Sequence, residues 1–226
     1  MRRDTVQAPA RRRGLGQCTA LLAALALPST LVLAAKPAAK AGTAVILVVG
    51  DSLSAEYGLR RGAGWVSLLE QRLAREKIAA RVVNASISGD TTSGGRSRLP
   101  ALLKQHRPSH VVIELGGNDA LRGLPLSMTE ANLHAMVRAA ANSGAKVLIA
   151  GMQIPPNYGR QYADKFASLF ANVAQAEGAS LLPFLLTGVA DGVDYKLFQA
   201  DRIHPSEAAH PRILENVWAV LRPMLT

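Results

Sequence analysis

A serine stands in the stretch Gly50-Asp51-Ser52-Leu53-Ser54, and far downstream Asp201 and His204 stand three residues apart, just before Pro205. A serine hydroxyl becomes a nucleophile at neutral pH when a base takes its proton, and histidine is the usual base. The imidazole needs its second nitrogen held by an acceptor, which fixes the tautomer and stabilises the imidazolium. The spacing of Asp201 and His204 lets one tight turn supply that acceptor locally. A developing oxyanion then needs donors. Gly89, whose backbone N–H can approach closely, and the neutral amide of Asn118 in Gly116-Gly117-Asn118-Asp119 are suited to the task. Asp51 and Asp119 read instead as braces of their own loops.

Other chemistries find less support. His106, His110, His134 and His210 read as surface or internally satisfied positions, and no H-x-H, D-x-H or H-E-x-x-H spacing occurs, so no metal site is expected. Cys18 is the sole cysteine, which excludes a disulfide framework and a CxxC redox motif. The loop after the first strand lacks G-x-G-x-x-G, and G-x-x-x-x-G-K-[ST] is missing from the chain. Ser52 does not sit in the G-x-S-x-G elbow of α/β-hydrolases. Aromatic residues make up 4% of the chain, too few for a base-stacking platform, and the basic residues are scattered, so nucleic acid is not an expected partner.

The elements that must position these residues alternate between strand and helix. Ala44 to Val49 is a β-branched run of the kind buried on both faces of a sheet. The pattern predicts further strands at Ala80 to Ala85, Val111 to Leu115, Val147 to Ala150 and Ser180 to Pro183. It predicts helices at Trp65 to Lys77, Leu99 to His106, Thr129 to Ser143 (with Gly144 as its cap), Tyr162 to Glu177 and Pro205 to Leu221. Such alternation with short connections implies an open parallel sheet covered on both faces, with ligands beyond the carboxyl ends of its strands. Ser52, Gly89 and Asn118 all fall in loops at that edge, and the last helix can return His204 to it.

Residues 1–41 differ from the rest. A basic stretch ending in Arg11-Arg12-Arg13 precedes the Ala/Leu-rich run Leu21 to Ala35, then a small-residue segment. That order is a secretory signal peptide, with candidate cuts after Ala34, Ala35 and Ala41. An uncleaved anchor is the alternative, but the apolar run, interrupted by Pro28, is short for the ~20 residues of a membrane span. Residues 42–226 are expected to form a single domain, periplasmic or secreted. In residues 1–35, Arg2, Arg3, Arg11, Arg12 and Arg13 against Asp4 give +4 of the formal net charge of +10, so residues 36–226 carry +6.

Gly50-Asp51-Ser52-Leu53, Gly89, Gly116-Gly117-Asn118-Asp119 and Asp201-x-x-His204 resemble, in the right order, the four blocks of the GDSL or SGNH hydrolases. Within that superfamily the stretches Asn84 to Thr91, Arg98 to Leu103, Glu114 to Asp119 and Ile154 to Gly159 are most similar to the bacterial thioesterase I, lysophospholipase and arylesterase group. The resemblance covers Ala44 to Leu221. It implies a flavodoxin-like α/β/α sandwich with a mostly parallel five-stranded sheet. It also implies Ser52 as nucleophile, His204 and Asp201 as base and orienter, and an oxyanion hole from the backbone N–H groups of Ser52 and Gly89 with the Asn118 side chain. No metal or organic cofactor is implied.

The expected activity is hydrolysis of small-molecule carboxylic esters and acyl thioesters, with lysophospholipids as a substrate class and no stable protein partner. Leu121, Leu124, Pro125, Ile154, Pro155, Asn157 and Tyr158 are candidates for an acyl groove. An acetyl-esterase acting on polysaccharide side groups, or a non-catalytic binding protein on the same frame, are the alternatives. Two departures from the family pattern stand out: Glu56 and Arg202 occupy positions where relatives usually have glycine.

Overall fold

The computed structural model describes residues 43–191 and 195–226, so the leader lies outside the described residues. Strand β1 (Ala44–Gly50) forms where the apolar run lets both faces be covered, and its last five residues are buried. It is followed by α1 (Trp65–Arg75), β2 (Ala80–Asn84), α2 (Thr92–His106), β3 (His110–Glu114), α3 (Gly117–Leu121), α4 (Leu126–Asn142), β4 (Lys146–Ala150), α5 (Arg160–Glu177), β5 (Ser180–Leu182) and α6 (His210–Met224). All strand pairs are parallel, in the order β2-β1-β3-β4-β5. Helices α1 and α6 pack together over one face, while α2, α4 and α5 cover the other. This is the flavodoxin-like sandwich expected, and its strand order reverses direction between β1 and β3.

Three elements differ from the pattern-based expectation. Helix α2 starts at Thr92, seven residues before Leu99, because the Thr91 hydroxyl accepts the Gly94 N–H and caps it. The stretch Thr92 to Arg98 carries two glycines and no apolar period, so nothing in it signals a helix. Helix α6 starts at His210 rather than Pro205. Pro205 instead forms an antiparallel bridge to Phe198, and Pro211 takes the tolerant position in the first helical turn. The short α3 was not anticipated; it is too brief to display a periodicity.

The core is aliphatic along β1, β3 and β4, with Trp65, Phe166 and Phe170 as its largest buried rings. Phe166 and Phe170 meet edge to face at 5.2 Å. At the amino edge of the sheet a hydrogen-bonded chain ties the two ends of the domain. The Val45 N–H donates to Ser109 Oγ (3.0 Å), Ser109 Oγ contacts His110 Nδ1 (2.9 Å), and His110 Nε2 contacts the Met224 carbonyl (2.8 Å). His110 is thus a satisfied internal histidine. No helix among the described residues is long and apolar enough to cross a membrane. A cavity of about 330 Å³ lined by Val137, Lys146, Glu177 and Met224 also lies at this edge, remote from Ser52.

Candidate active site

Ser52 follows β1 on a tight turn in which the Asp51 carbonyl accepts the Ala55 N–H (2.9 Å) and Asp51 Oδ1 accepts the Leu53 N–H (3.0 Å). Asp51 is a turn brace, as expected. Beneath the turn lies a layer that the sequence did not announce. Glu114, at the end of β3 and fully buried, receives the Asp51 N–H (3.2 Å) and the Ser54 hydroxyl (2.7 Å) on Oε2, and Trp65 Nε1 donates to Ser54 Oγ (3.2 Å). A Cβ on Gly50 would stand 2.6 Å from Glu114 Oε2, so only glycine admits this carboxyl beside the strand end. Among the described residues Glu114 Oε1 has no hydrogen-bond partner.

His204 Nε2 lies 3.0 Å from Ser52 Oγ, and His204 Nδ1 lies 2.6 Å from Asp201 Oδ2. Asp201 Oδ1 also accepts the backbone N–H groups of Ile203 (2.9 Å) and His204 (3.0 Å), the local turn the spacing suggested. A carboxylate can only accept, so Nδ1 carries the proton and Nε2 faces the serine hydroxyl as an acceptor. The His204 N–H, then that of Ile203, and the imidazole lower Asp201 to about 2, against a modest cost of burial. Gln199 fastens this segment to the nucleophile's turn: its N–H donates to the His204 carbonyl (2.8 Å) and its amide to the Tyr57 carbonyl (2.8 Å). The Tyr57 ring lies against the imidazole, centroids 4.3 Å apart. Sequence reasoning missed Tyr57, and no pattern around it points to a histidine so far along the chain.

The chain after β2 first continues the ladder, the Ile87 N–H reaching the Gly50 carbonyl (3.0 Å), and then turns at Gly89 with φ +79°. Asn118, in α3, gives its amide to Asp51 Oδ2 (2.9 Å) and the Asp90 carbonyl (2.9 Å). The sharp entry to α3 is made by Gly116 at φ +121°, where a Cβ would crowd Phe170 at 3.2 Å. Asp119 is buried and accepts from the Thr92 N–H and hydroxyl and the Thr129 hydroxyl, joining α2, α3 and α4.

Two buried acids therefore adjoin the nucleophile's turn. Burial raises Asp51 from 3.8 to about 6, against the Leu53 N–H, His204 and Asn118, which lower it. Burial, and then the neighbouring Asp51 charge, push Glu114 well above the ordinary glutamate range.

The groove candidates divide. Leu121, Leu124 and Pro125 lie on the β3–α4 connection and Pro155, Asn157 and Tyr158 on the β4–α5 connection, where the Tyr162 hydroxyl donates to the Leu124 carbonyl (3.2 Å) and ties the two. Leu121 and Tyr158 are exposed, whereas Ile154 is buried within the core. Glu56 and Arg202 both have left-handed backbones, φ 60° and 57°, the conformation that favours glycine. Glu56 offsets this by accepting the N–H groups of Gly62 and Gly64 and the Ser67 hydroxyl. Among the described residues no three His, Cys, Asp or Glu side chains converge as metal ligands would.

A serine-bearing turn at the switch point of a parallel sheet, faced by a histidine and carboxylate from the last connection, is an arrangement suited to ester hydrolysis on a flavodoxin-like frame. Residues 48–212 match the GDSL-like Lipase/Acylhydrolase family, and the chain belongs to that family; it is an ester hydrolase acting on small-molecule esters. It is 53% identical over 186 residues to Esterase TesA of Pseudomonas aeruginosa, covering 82% of this chain and 92% of that one. It is 40% identical over 195 residues to Thioesterase 1/protease 1/lysophospholipase L1 of Escherichia coli, covering 86% and 90%. Among solved structures, the psychrotrophic esterase EstA of Pseudoalteromonas sp., inhibited by monoethylphosphonate, superposes with a TM-score of 0.76 at 39% identity, covering 80% of this chain and 98% of that one.

Proposed function

We propose that this protein is an exported serine esterase that hydrolyses carboxylic esters and acyl thioesters through an acyl-enzyme on Ser52. The contact chain Asp201–His204–Ser52, at 2.6 and 3.0 Å, carries the reading. His204 Nε2 takes the hydroxyl proton as Ser52 Oγ attacks the carbonyl carbon, and Asp201 stabilises the imidazolium. The oxyanion is met by the backbone N–H groups of Ser52 and Gly89 and by the Asn118 amide, whose two hydrogens are given at rest to Asp51 and Asp90, so that one of those bonds is exchanged for the oxyanion as it forms. The imidazolium returns its proton to the departing alcohol or thiol. Water, deprotonated by His204, then attacks the acyl-enzyme and releases the acid.

Leu121, Leu124, Pro125, Pro155 and Tyr158 supply apolar walls for an acyl chain, and the E. coli relative's name supports lysophospholipids as a substrate class. Residues 1–41 act as the export leader, cut after Ala34, Ala35 or Ala41, which the intact mass of the exported protein would fix. The deciding experiment is a chain-length series of p-nitrophenyl and acyl-CoA substrates against wild type and Ser52→Ala. Turnover of medium or long chains that Ser52→Ala abolishes, with one phosphonate label on Ser52, is expected. Activity confined to acetyl esters would favour a polysaccharide acetyl-esterase. Undiminished turnover in Ser52→Ala would sink the serine mechanism, and inertness of wild type would leave a binding protein.

A further inference from the structure

Seven large apolar side chains stand well exposed among the described residues, and every one lies at the carboxyl edge of the sheet. Tyr57 is on the β1–α1 connection, Ile87 on β2–α2, Tyr158 on β4–α5, and Tyr195 and Ile203 on β5–α6. Leu121 and Met128 flank the β3–α4 turn. The connections at the opposite edge expose none of this kind. Isolated exposed apolar residues are ordinary, but a set of them confined to one edge of the sheet is not. Contacts join the set to the site: Tyr57 lies on His204, Arg122 donates to the Gly89 carbonyl (2.8 Å), and Arg202 stands over Tyr195 at 5.4 Å.

Charge on the same connections is asymmetric. Exposed Arg61, Arg122, Arg160 and Arg202 interleave with the apolar side chains, and none of them is ion-paired among the described residues. Most of the neighbouring acids are engaged within the fold, Asp191 among them through the Gly188 N–H, while Asp164 near the start of α5 is exposed. Glu56 holds backbone N–H groups, Asp90 pairs with Arg98, Asp119 is buried, Asp201 holds His204, and Glu207 pairs with Arg60. What faces outward is apolar with an excess of cations, the composition that settles at the boundary of an anionic lipid layer. A folded protein seated on this edge would cap Ser52, whereas a lipid layer covers the edge and presents esters to it.

We infer that the carboxyl edge of the sheet docks on the surface of an anionic lipid layer, so that Ser52 meets its ester at the interface. Its purpose rests on the esterase reading above, but the docking itself is measured without turnover. Full-length Ser52→Ala protein is sedimented with vesicles of phosphatidylglycerol and phosphatidylcholine, or of phosphatidylcholine alone. Binding to the anionic vesicles, weakened by added salt, is expected. Adding Arg61→Ser and Arg160→Ser should lower the partition coefficient on the order of tenfold, and Ile87→Ser with Met128→Ser should also lower it. Because all variants share the leader, its contribution cancels in the comparison. In the Ser52 background, both double variants should keep wild-type kcat/KM on a water-soluble p-nitrophenyl ester.

Equal vesicle binding by both doubles, or none by the parent, overturns the docking surface. Self-association on ultracentrifugation that the doubles abolish would assign this edge to a second copy and overturn it as well. Vesicle binding by a wild type that turns over no ester would sink the esterase reading alone, and turnover without vesicle binding would sink the docking alone.

Discussion

Asn118 carries two obligations at once, and its replacement separates them. Both of its amide hydrogens are given at rest, to Asp51 and the Asp90 carbonyl, and the proposed mechanism asks one of them to transfer to the oxyanion. Asn118→Ala should lower kcat by ~10²–10³ with KM nearly unchanged, the loss typical of one oxyanion donor. A rise in KM with kcat intact would reassign Asn118 to structure. The acids behind it yield a prediction with a definite sign. A raised folded pKa means that the folded state holds its proton more tightly, so Asp51 and Glu114 contribute stability at low pH that is lost as pH rises. For Asp51 the loss runs from near 4 to about 6 and is of order 3 kcal/mol; Glu114 extends it further upward. Glu114→Gln keeps the shape and removes the titrating group, so urea unfolding between pH 5 and 8 should show a flatter decline than wild type. Parallel curves would mean that Glu114 is ionised in the fold. The meeting of Ser52, His204 and Asp201 was legible because chemistry constrains residue types and spacing, as Asp201 and His204 show within a single turn. Glu114 was not, because a glutamate at a strand end looks like any polar strand end until β1 and α1 close over it.

Among the elements, the strands were read to within a residue or two, since a run such as Ile46 to Val49 has few other places to go. The start of α2 escaped notice because its first turns are specified by packing and a cap rather than by propensity. Gly95 shows which force rules there. Alanine is the better helix former by ~1 kcal/mol, but a Cβ on Gly95 would stand 2.3 Å from Leu115 Cδ1 and 3.3 Å from the Met136 sulfur. Overpacking of this kind costs ~1–3 kcal/mol, so Gly95→Ala should lower stability despite its higher propensity, as the urea midpoint will report. A gain would show that Leu115 repacks freely. Thr91→Ala, which removes the cap, should cost about 1 kcal/mol and leave the β3–α4 turn intact.

The molecule as a whole is polarised: chemistry occupies the carboxyl edge of the sheet, and the amino edge is closed by the bonds linking Val45, Ser109, His110 and Met224. Both ends of the described chain therefore leave from the edge opposite Ser52. Circular permutation follows directly. A chain in which a short flexible linker runs from Thr226 to Ala44, reopened at the exposed Gly144 turn, breaks no bond near the site and should keep wild-type kcat/KM. A large loss would show that the open ends are themselves needed. Surface attachment follows too: a bead that grips the protein by its carboxyl terminus leaves the reactive mouth turned outward to the liquid.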